Sequence, residues 1–276
     1  MRAPGRGLAG VGLGVLVLLA TIGVLAPVLA PHDPRALSGG SFEAPSANHL
    51  LGTNDIGQDV ASALIWGART SLLVAIGAGG IAVVVAVVVG VGPALVGGWI
   101  DRLVMRLVDV LLAVPVLPLL VLVAALTGPR LSVVVVVIGA LAWPRMARVL
   151  RSEALSVRQR GYVEAAQGLG GGLLHLLRRH LVPALTPLIA ANFVLIAGVA
   201  VLLESGLAFL GLGDPTTPSW GQVLNRALDH PGIYFTRAWT WWVLPPGIAI
   251  TVAILGFTFL AVGLEPRSNP RWERGR

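Results

Sequence analysis

Two carboxylates in very apolar surroundings, Asp109 and Glu204, are the residues best placed to do chemistry in this chain. An ionisable side chain in such a segment is costly to bury, so it usually faces a bundle interior or an aqueous path. We therefore expect a role in a translocation path or gate, with a structural hydrogen bond between helices as the alternative. An intramembrane enzyme is disfavoured, because Ser205 adjoins Glu204, where neighbours on a helix do not face each other, and no histidine lies in an apolar segment.

Three further polar residues, Asn54, Asp55 and Asp59, stand close to glycines outside the apolar segments. Their oxygens could bind a hard cation, but Asp and Asn beside glycine are ordinary turn and helix-cap residues. The histidines expected on the external side are His32, His49 and His230. Because they are scattered along the sequence without a ligand spacing, we predict no metal site in this chain.

A polar, arginine-rich segment, Gly161–Pro183, interrupts the apolar sequence. Its block Glu164–Ala166 favours a short helix, which the glycines at 168 and 170–172 should end. A second helix follows, with leucines on one side and histidine and arginine on another, and Pro183 should end it. A helix pair between two membrane spans has little core of its own to bury. We therefore expect it to dock onto a cytoplasmic partner; contact with anionic lipid is the alternative.

The composition predicts an integral membrane protein, since 55% of the 276 residues are hydrophobic, 12% are charged and the mean hydropathy is +0.83. The absence of cysteine excludes disulfides, thiolate metal sites and cysteine nucleophiles. All 20 basic residues are arginine, so a phosphate-binding loop that requires lysine cannot occur, and any ATP must be bound by another chain. The net charge of +7 is interpreted as a sign of membrane orientation, and we expect no nucleic-acid partner.

Six apolar segments predict an all-α membrane protein with six transmembrane helices in a lipid bilayer. These segments are 8–29, 72–96, 107–127, 131–143, 184–212 and 243–264. The chain then divides into a tip with the first span (1–30), an external loop (31–69), a five-helix core (70–264, containing the loop 150–183) and a tail (265–276). The first span is expected to be an uncleaved anchor, because it is longer than a typical signal-peptide core.

The distribution of arginine predicts that both termini are cytoplasmic. In that orientation 15 of the 20 arginines lie on the cytoplasmic side, as the positive-inside rule requires. The five on the external side are Arg35, Arg69, Arg130, Arg226 and Arg237. The same orientation places Glu164 in the cytoplasm, where a soluble partner could reach it.

The segment around Glu164 resembles the EAA loop of bacterial ABC importer permeases, in which a Glu-Ala-Ala block is followed by a glycine and then a proline. Here these are Glu164–Ala166, Gly170 and Pro183. Other segments are similar to the second, C-type subunit of the dipeptide/oligopeptide/nickel permease family, in the same order from 31 to 264. They are Leu51–Val60, Trp143–Arg148, Phe209–Gly213, Pro218–Gly221, Trp241–Trp242 and Pro245–Gly247. Two departures are Asn54 and Gln58, where the family usually has Asp and Arg.

The resemblance implies a type I ABC importer permease in the bacterial cytoplasmic membrane. This chain and a second, B-type permease subunit would each form half of the translocation path. Two ATP-binding subunits would bind ATP and Mg²⁺, and this chain would hold no cofactor. An external solute-binding protein would deliver the cargo, which is a di- or oligopeptide by family preference, with nickel or another small solute as the alternative. A self-sufficient carrier is disfavoured because the two halves of the sequence show no convincing repeat.

The family motif also implies which residues couple this chain to the ATPase. They are Tyr162, Glu164, Ala165, Ala166, Gly168, Gly170, Arg178, His180 and Pro183. The external residues implied in the same way are Asp55, Gly57, Asp59, Ser219 and Trp220. Ser219, with Gln222 three residues later, should also cap a helix. Gly170→Asp should lower uptake while the chain remains in the membrane.

Overall fold

The computed structural model describes residues 4–268 and the side chains of 7–264. Regular structure in 4–268 is helical apart from an isolated β-bridge between Thr53 and Asp59. The α-helices are α1 (Pro4–Val24), α2 (Ala26–Leu29), α3 (Val60–Val96), α4 (Gly98–Ala113), α5 (Val116–Thr127), α6 (Leu131–Arg158), α7 (Gly161–Gly168), α8 (Leu173–Leu176), α9 (Val182–Leu207), α10 (Trp220–Asp229), α11 (Trp239–Trp242) and α12 (Leu244–Ser268). Two π-helical turns, Leu177–Leu181 and Ala208–Leu212, and a 3₁₀ turn, Ile233–Phe235, complete the helical structure. The side chains of the predicted tail, and those of Arg2 and Arg6 from the orientation argument, lie outside the described part.

Five helical stretches in the described part are long and apolar enough to cross a membrane. They are Gly7–Val24, Val60–Val96, Leu131–Arg158, Leu173–Leu212 and Trp239–Leu264. Four of these stretches are longer than the sequence predicts; α6, for example, continues through Pro144 to Arg158. The expectation that Pro183 ends a helix is wrong: it lies in the first turn of α9, directly after a π-helical turn, where a missing backbone N–H is tolerated.

The predicted third span, 107–127, is not one straight helix. It is the helix pair α4 and α5, which meet at an angle of 80°. Val114 is extended at the break (φ −78°, ψ 127°), because the ring of the following Pro115 disfavours helical geometry in the preceding residue. Helix α5 alone is only about 18 Å long, too short for a hydrocarbon core of about 30 Å. The interruption of helix that the sequence predicts at 97–102 is limited to Gly97, because α3 ends at Val96 and α4 begins at Gly98.

Small residues let the long helices pack closely around α3. Ala78, Ala82 and Ala86 are fully buried on one face of α3. A Cβ added at Gly90, further along that face, would lie 2.5 Å from the carbonyl oxygen of Ala147 in α6. Contacts of this closeness are the usual basis of helix association in lipid, where the hydrophobic effect between helices is absent.

The bundle has two distinct ends. One end, formed by 97–102 and 150–183, is called the basic end here. There the guanidinium of Arg158 donates to the carbonyl oxygens of Ala94 and Leu95, at 3.2 and 3.0 Å, and so joins α6 to the end of α3. At the other, here called the cap end (31–59 and 213–242), segments distant in sequence pack over the starts of α3 and α6. The bent pair α4 and α5 connects the basic end of α3 to the cap end of α6.

Candidate functional site

At the basic end, helix α7 is followed by a run of glycines. The N–H of Gly171 donates to the carbonyl of Ala166 (2.9 Å), and the N–H of Gly170 to the carbonyl of Gln167 (3.1 Å). This pair of bonds is a Schellman C-cap, and it requires a left-handed residue, which Gly170 supplies with φ +86°. The chain therefore turns sharply after α7, as the glycines predicted.

The loop is anchored by its apolar residues. Val163 of α7, Leu176 of α8 and Leu181 of the π-helical turn are at most 4% exposed. They belong to the same buried cluster as Leu150 and other residues of α3, α6 and α9. The loop is therefore packed against the ends of long helices and is not a free surface segment.

The opposite face of the loop is exposed and unusually apolar. Leu169 is 90% exposed, Leu173 54% and Leu174 59%. Glu164 and Arg178 on the same loop are also exposed. An exposed apolar patch bordered by charges is typical of a protein–protein contact. This surface, Leu169, Leu173 and Leu174 with the surrounding charges, is called the leucine face below.

The structure gathers part of the predicted coupling set. The rings of Tyr162 and His180 lie 5.8 Å apart between centroids, and His180 is 5.7 Å from His175, so aromatic contacts join α7 to the helix after it. Ala165 is exposed and Ala166 half-buried, and Gly168 is the last residue of α7. Arg178 is exposed, and Pro183 lies at the start of α9. Sequence reasoning missed the anchoring role of Arg158, whose only signal was its place at the end of a helix.

Asp109 pairs with Arg148 in the structure, which joins α4 to α6. A second pair that the sequence did not reveal, Asp101 and Arg151, joins the same helices with two bonds, from Nε at 2.6 Å and from Nη2 at 2.5 Å. Asp101 is nearly buried, whereas both members of the first pair are substantially exposed. The arrangement favours the structural alternative for Asp109 over direct contact with a transported molecule.

Glu204 is a buried carboxylate, 4% exposed, near the cap end of α9. The hydroxyl of Ser205 lies 3.5 Å from its Oε2, and the hydroxyls of Ser71 and Ser219 are also close. These neighbours come from α3, α9 and the segment before α10. The carboxylate therefore lies where these three elements meet.

The predicted external residues Ser219 and Trp220 hold the segment before α10 against the bundle. Ser219 caps α10 as expected, since its hydroxyl accepts from the N–H of Gln222 at 3.3 Å. Trp220 is 1% exposed, and its Nε1 donates to the carbonyl of Leu64 in α3 at 2.9 Å. A Cβ added to Gly221 would lie 2.4 Å from the carbonyl oxygen of Ser205, so only glycine permits this approach to α9.

The predicted loop residues Asp55, Gly57 and Asp59 fold into consecutive tight turns. Gly57 has φ +84°, and a Cβ there would lie 2.2 Å from the carbonyl oxygen of Gly39. Asp59 is fully buried and is the N-cap of α3, accepting from the N–H of Ser62 at 2.7 Å. The turn interpretation therefore holds for Asp55 and Gly57, and Asp59 caps α3 through its Oδ2.

The two departures from the family motif form a local network. The amide of Asn54 donates to Oε1 of Gln58 at 2.9 Å, and the guanidinium of Arg226 donates to the same oxygen at 2.7 Å. Arg226 of α10 therefore places a positive charge directly beside Gln58 and joins this loop to α10.

Asp214 joins the segment after α9 to the start of α6. Partial burial favours its neutral form, but bonds from the hydroxyl of Thr216 and from the N–H groups of Leu131 and Thr216 outweigh this, with a further contribution from the charge of Arg35. Together they hold the pKa of Asp214 below its ordinary value. The carboxylate therefore remains ionised in the folded protein at neutral pH.

The external histidines are not all scattered in space. His32 and His49 stack with ring centroids 4.8 Å apart, and one nitrogen of each lies within 4.8 Å of a carboxylate oxygen of Asp59. His230 lies elsewhere, against Phe42 and Trp242. The positions of the histidines in the sequence therefore did not reveal that His32 and His49 lie together in the folded chain.

Comparisons with known proteins agree with this architecture. The family model described as binding-protein-dependent transport system inner membrane component matches residues 82–274. A protein of Brucella suis biovar 1 (strain 1330), provisionally described as a peptide permease, is 36% identical over 264 residues, covering 95% of this chain and 86% of that protein. The dipeptide transport system permease protein DppC of Bacillus subtilis (strain 168) is 33% identical over 271 residues, covering 97% of this chain and 83% of that protein. The resemblance found in the sequence is therefore confirmed, and the chain belongs to the family of binding-protein-dependent transport system inner membrane components, as a transport permease subunit rather than an enzyme.

Proposed function

We propose that this chain forms one half of the translocation path of an ATP-driven peptide importer and docks onto an ATP-binding subunit through its leucine face. The observation that carries the proposal is the division of the 161–183 loop into two faces. Its buried face is fixed to three long helices, while its exposed face carries leucines that are 54–90% exposed. A loop built in this way can bind a partner and transmit the partner's movement into the membrane.

The proposed assembly contains a second permease subunit, two ATP-binding subunits and an external solute-binding protein. ATP and Mg²⁺ belong to the ATP-binding subunits, since a lysine-free chain cannot form the usual phosphate-binding loop. Family membership supports the association with a binding protein.

We further propose six crossings of the bacterial cytoplasmic membrane with both termini in the cytoplasm. Counting α4 and α5 as one bent crossing gives six, and this count is supported by their course from one end of the bundle to the other. The excess of arginine at the basic end supports its cytoplasmic placement. The cap end then faces the binding protein.

Peptides are the proposed cargo because the printed names of similar proteins refer to peptide or dipeptide transport. Nickel remains the alternative within the same family. Selection between them would lie mainly with the separate binding protein, whose ligands can be screened once that protein is identified.

The proposal is tested by purifying the chain from its native membrane in a gentle detergent and identifying the proteins that accompany it. We expect a second permease subunit and one or two ATP-binding subunits. Leu174→Arg, which places a charge on the leucine face, should reduce the amount of ATP-binding subunit recovered. Leu37→Arg is the matched control, since Leu37 is 70% exposed but lies at the cap end. Equal recovery from both variants, or a wild-type chain that purifies alone, would contradict the proposal.

A further inference from the structure

Three side chains from separate stretches of sequence converge beside the start of α3. His32 follows the first helices, His49 lies in the middle of the long loop, and Asp59 is the N-cap of α3. One nitrogen from each imidazole and one carboxylate oxygen all lie within 4.8 Å of one another. Asp59 is fully buried, His49 is 4% exposed and His32 is half-buried, so the group is screened from bulk water.

The ligand types suit a divalent transition-metal ion. Two imidazoles and a carboxylate are ligands for Zn²⁺, with bonds of about 2.0–2.2 Å, so the ligand atoms of one ion stand roughly 3–3.5 Å apart. Nδ1 of His49 and Oδ1 of Asp59 form a hydrogen bond of 3.0 Å, and an ion that replaces the shared proton would keep them at about this separation. Only His32 needs to approach further, and a rotation of its ring can supply this because the ring makes no hydrogen bond within the described residues.

The surrounding contacts hold the group in place. The second carboxylate oxygen of Asp59 accepts from the N–H of Ser62 at 2.7 Å, and the hydroxyl of Ser62 accepts from the backbone N–H of His32 at 3.0 Å. Nδ1 of His32 is buried and has no partner in the part of the chain that the structure describes. Leaving such a nitrogen unpaired costs free energy, which a metal ion would recover.

The other nitrogen of the His49 ring, Nε2, points away from an ion held at Nδ1, so the groups beside it act as outer-shell partners that orient the ring. The carboxylate of Glu43 is 4.0 Å from Nε2 of His49 and is 47% exposed. A Cβ added to Gly39 would lie 2.8 Å from the same nitrogen and 3.1 Å from Glu43, so glycine keeps this side of the cluster open.

We propose that His32, His49 and Asp59 bind one divalent transition-metal ion, best suited to Zn²⁺, that fastens the 31–59 loop to the start of α3. The ion is a structural element of the permease and not its cargo. It joins the end of the first membrane helix, the outer loop and the second membrane helix at one point. The proposal does not depend on the identity of the transported solute.

The test is equilibrium dialysis of the purified, assembled transporter against Zn²⁺, and in parallel against Ni²⁺, with metal counted by mass spectrometry. We expect one Zn²⁺ per chain in the wild type. His32→Ala should weaken binding by at least the 10- to 100-fold that is typical of losing even an outer-shell partner. His230→Ala is the matched control, because it removes an external histidine outside the cluster, and it should bind as the wild type does.

A second measurement separates metal binding from misfolding. His32→Ala and His32→Asn remove a ring without hydrogen bonds in the described residues, so their thermal unfolding without metal should resemble that of the wild type. Zn²⁺ should raise the unfolding midpoint of the wild type and of His230→Ala, but not of the two His32 variants. A wild type that binds no Zn²⁺, or His32 variants that bind it as tightly as the wild type, would overturn the proposal.

Discussion

Replacing Gly170 by alanine should impair coupling through backbone strain alone. Gly170 has φ +86°, and a Cβ at this position would meet nothing within 4 Å, so no clash arises within the chain. A residue with a side chain pays about 1–2 kcal/mol to occupy the left-handed region. This free energy corresponds to a factor of roughly 5–30 in the ratio of native to non-native conformations of the α7 C-cap, which is the upper limit of the effect on uptake.

The matched control is Gly172→Ala. Gly172 has φ −69° and ψ 163°, which any residue can adopt, and a Cβ there also meets nothing within 4 Å. Both variants add the same methyl group to the same loop, and only one of them strains the backbone. The variants should be compared in reconstituted vesicles containing the partner subunits, at equal amounts of inserted chain.

We expect Gly170→Ala to lower ATP-driven uptake by up to the 5- to 30-fold worked out above, while Gly172→Ala stays within about twofold of the wild type, as for most surface substitutions. ATP-binding subunits should be retained more weakly by the first variant than by the second. Equal uptake by the two variants would refute the reasoning. Loss of Gly170→Ala from the membrane would also refute it, because the cap would then be needed for folding and not for coupling.

Three further predictions concern single side chains, each measured as a change in the midpoint of thermal unfolding in detergent. Asp101→Asn should lower the free energy of unfolding by about 1.5–3 kcal/mol, because it weakens the partly buried ion pair with Arg151, whose two hydrogen bonds join α4 to α6. Asp109→Asn, in an exposed ion pair, should lower it by less than about 1 kcal/mol. Equal losses in the two variants would contradict this prediction. Trp220→Phe should cost about 0.5–1.5 kcal/mol, since it removes the hydrogen bond from the buried indole to the carbonyl of Leu64, which keeps its helical donor; an unchanged midpoint would show that the bond is unimportant. Asp214→Asn should lower the unfolding midpoint most above about pH 4, where an ordinary aspartate is ionised. The difference from the wild type should shrink as the pH falls through the lowered pKa of Asp214. A difference that does not change with pH would contradict the stabilising role of the ionised carboxylate.

Local signals in the sequence were sufficient to predict the end of α7 and the cap of α10. The glycines after Ala166 predicted the end of α7, and the structure gives the reason in the positive φ of Gly170. Ser219 predicted the cap of α10 by its spacing from Gln222. These features depend on a few neighbouring residues, so they are readable from one sequence.

Features that depend on tertiary contacts were not readable. Prolines such as Pro144 and Pro183 ordinarily favour a helix boundary, yet packing and a π-helical turn keep the helices continuous. The pair of Asp101 with Arg151 and the stacking of His32 on His49 join residues far apart in the chain. No spacing rule reveals such pairs, because the fold alone brings them together.

The central claim, that the leucine face contacts an ATP-binding subunit, is tested most directly by cross-linking from a single cysteine. The chain contains no cysteine of its own, so Leu169→Cys introduces a unique thiol at a residue that is 90% exposed. Phe235→Cys, at a residue of the cap end that is 96% exposed, is the control. In the assembled transporter, a short thiol-reactive cross-linker should join Leu169→Cys to an ATP-binding subunit and leave Phe235→Cys unlinked to it. An ATP-binding subunit that is captured equally from both positions, or from neither, would contradict the account.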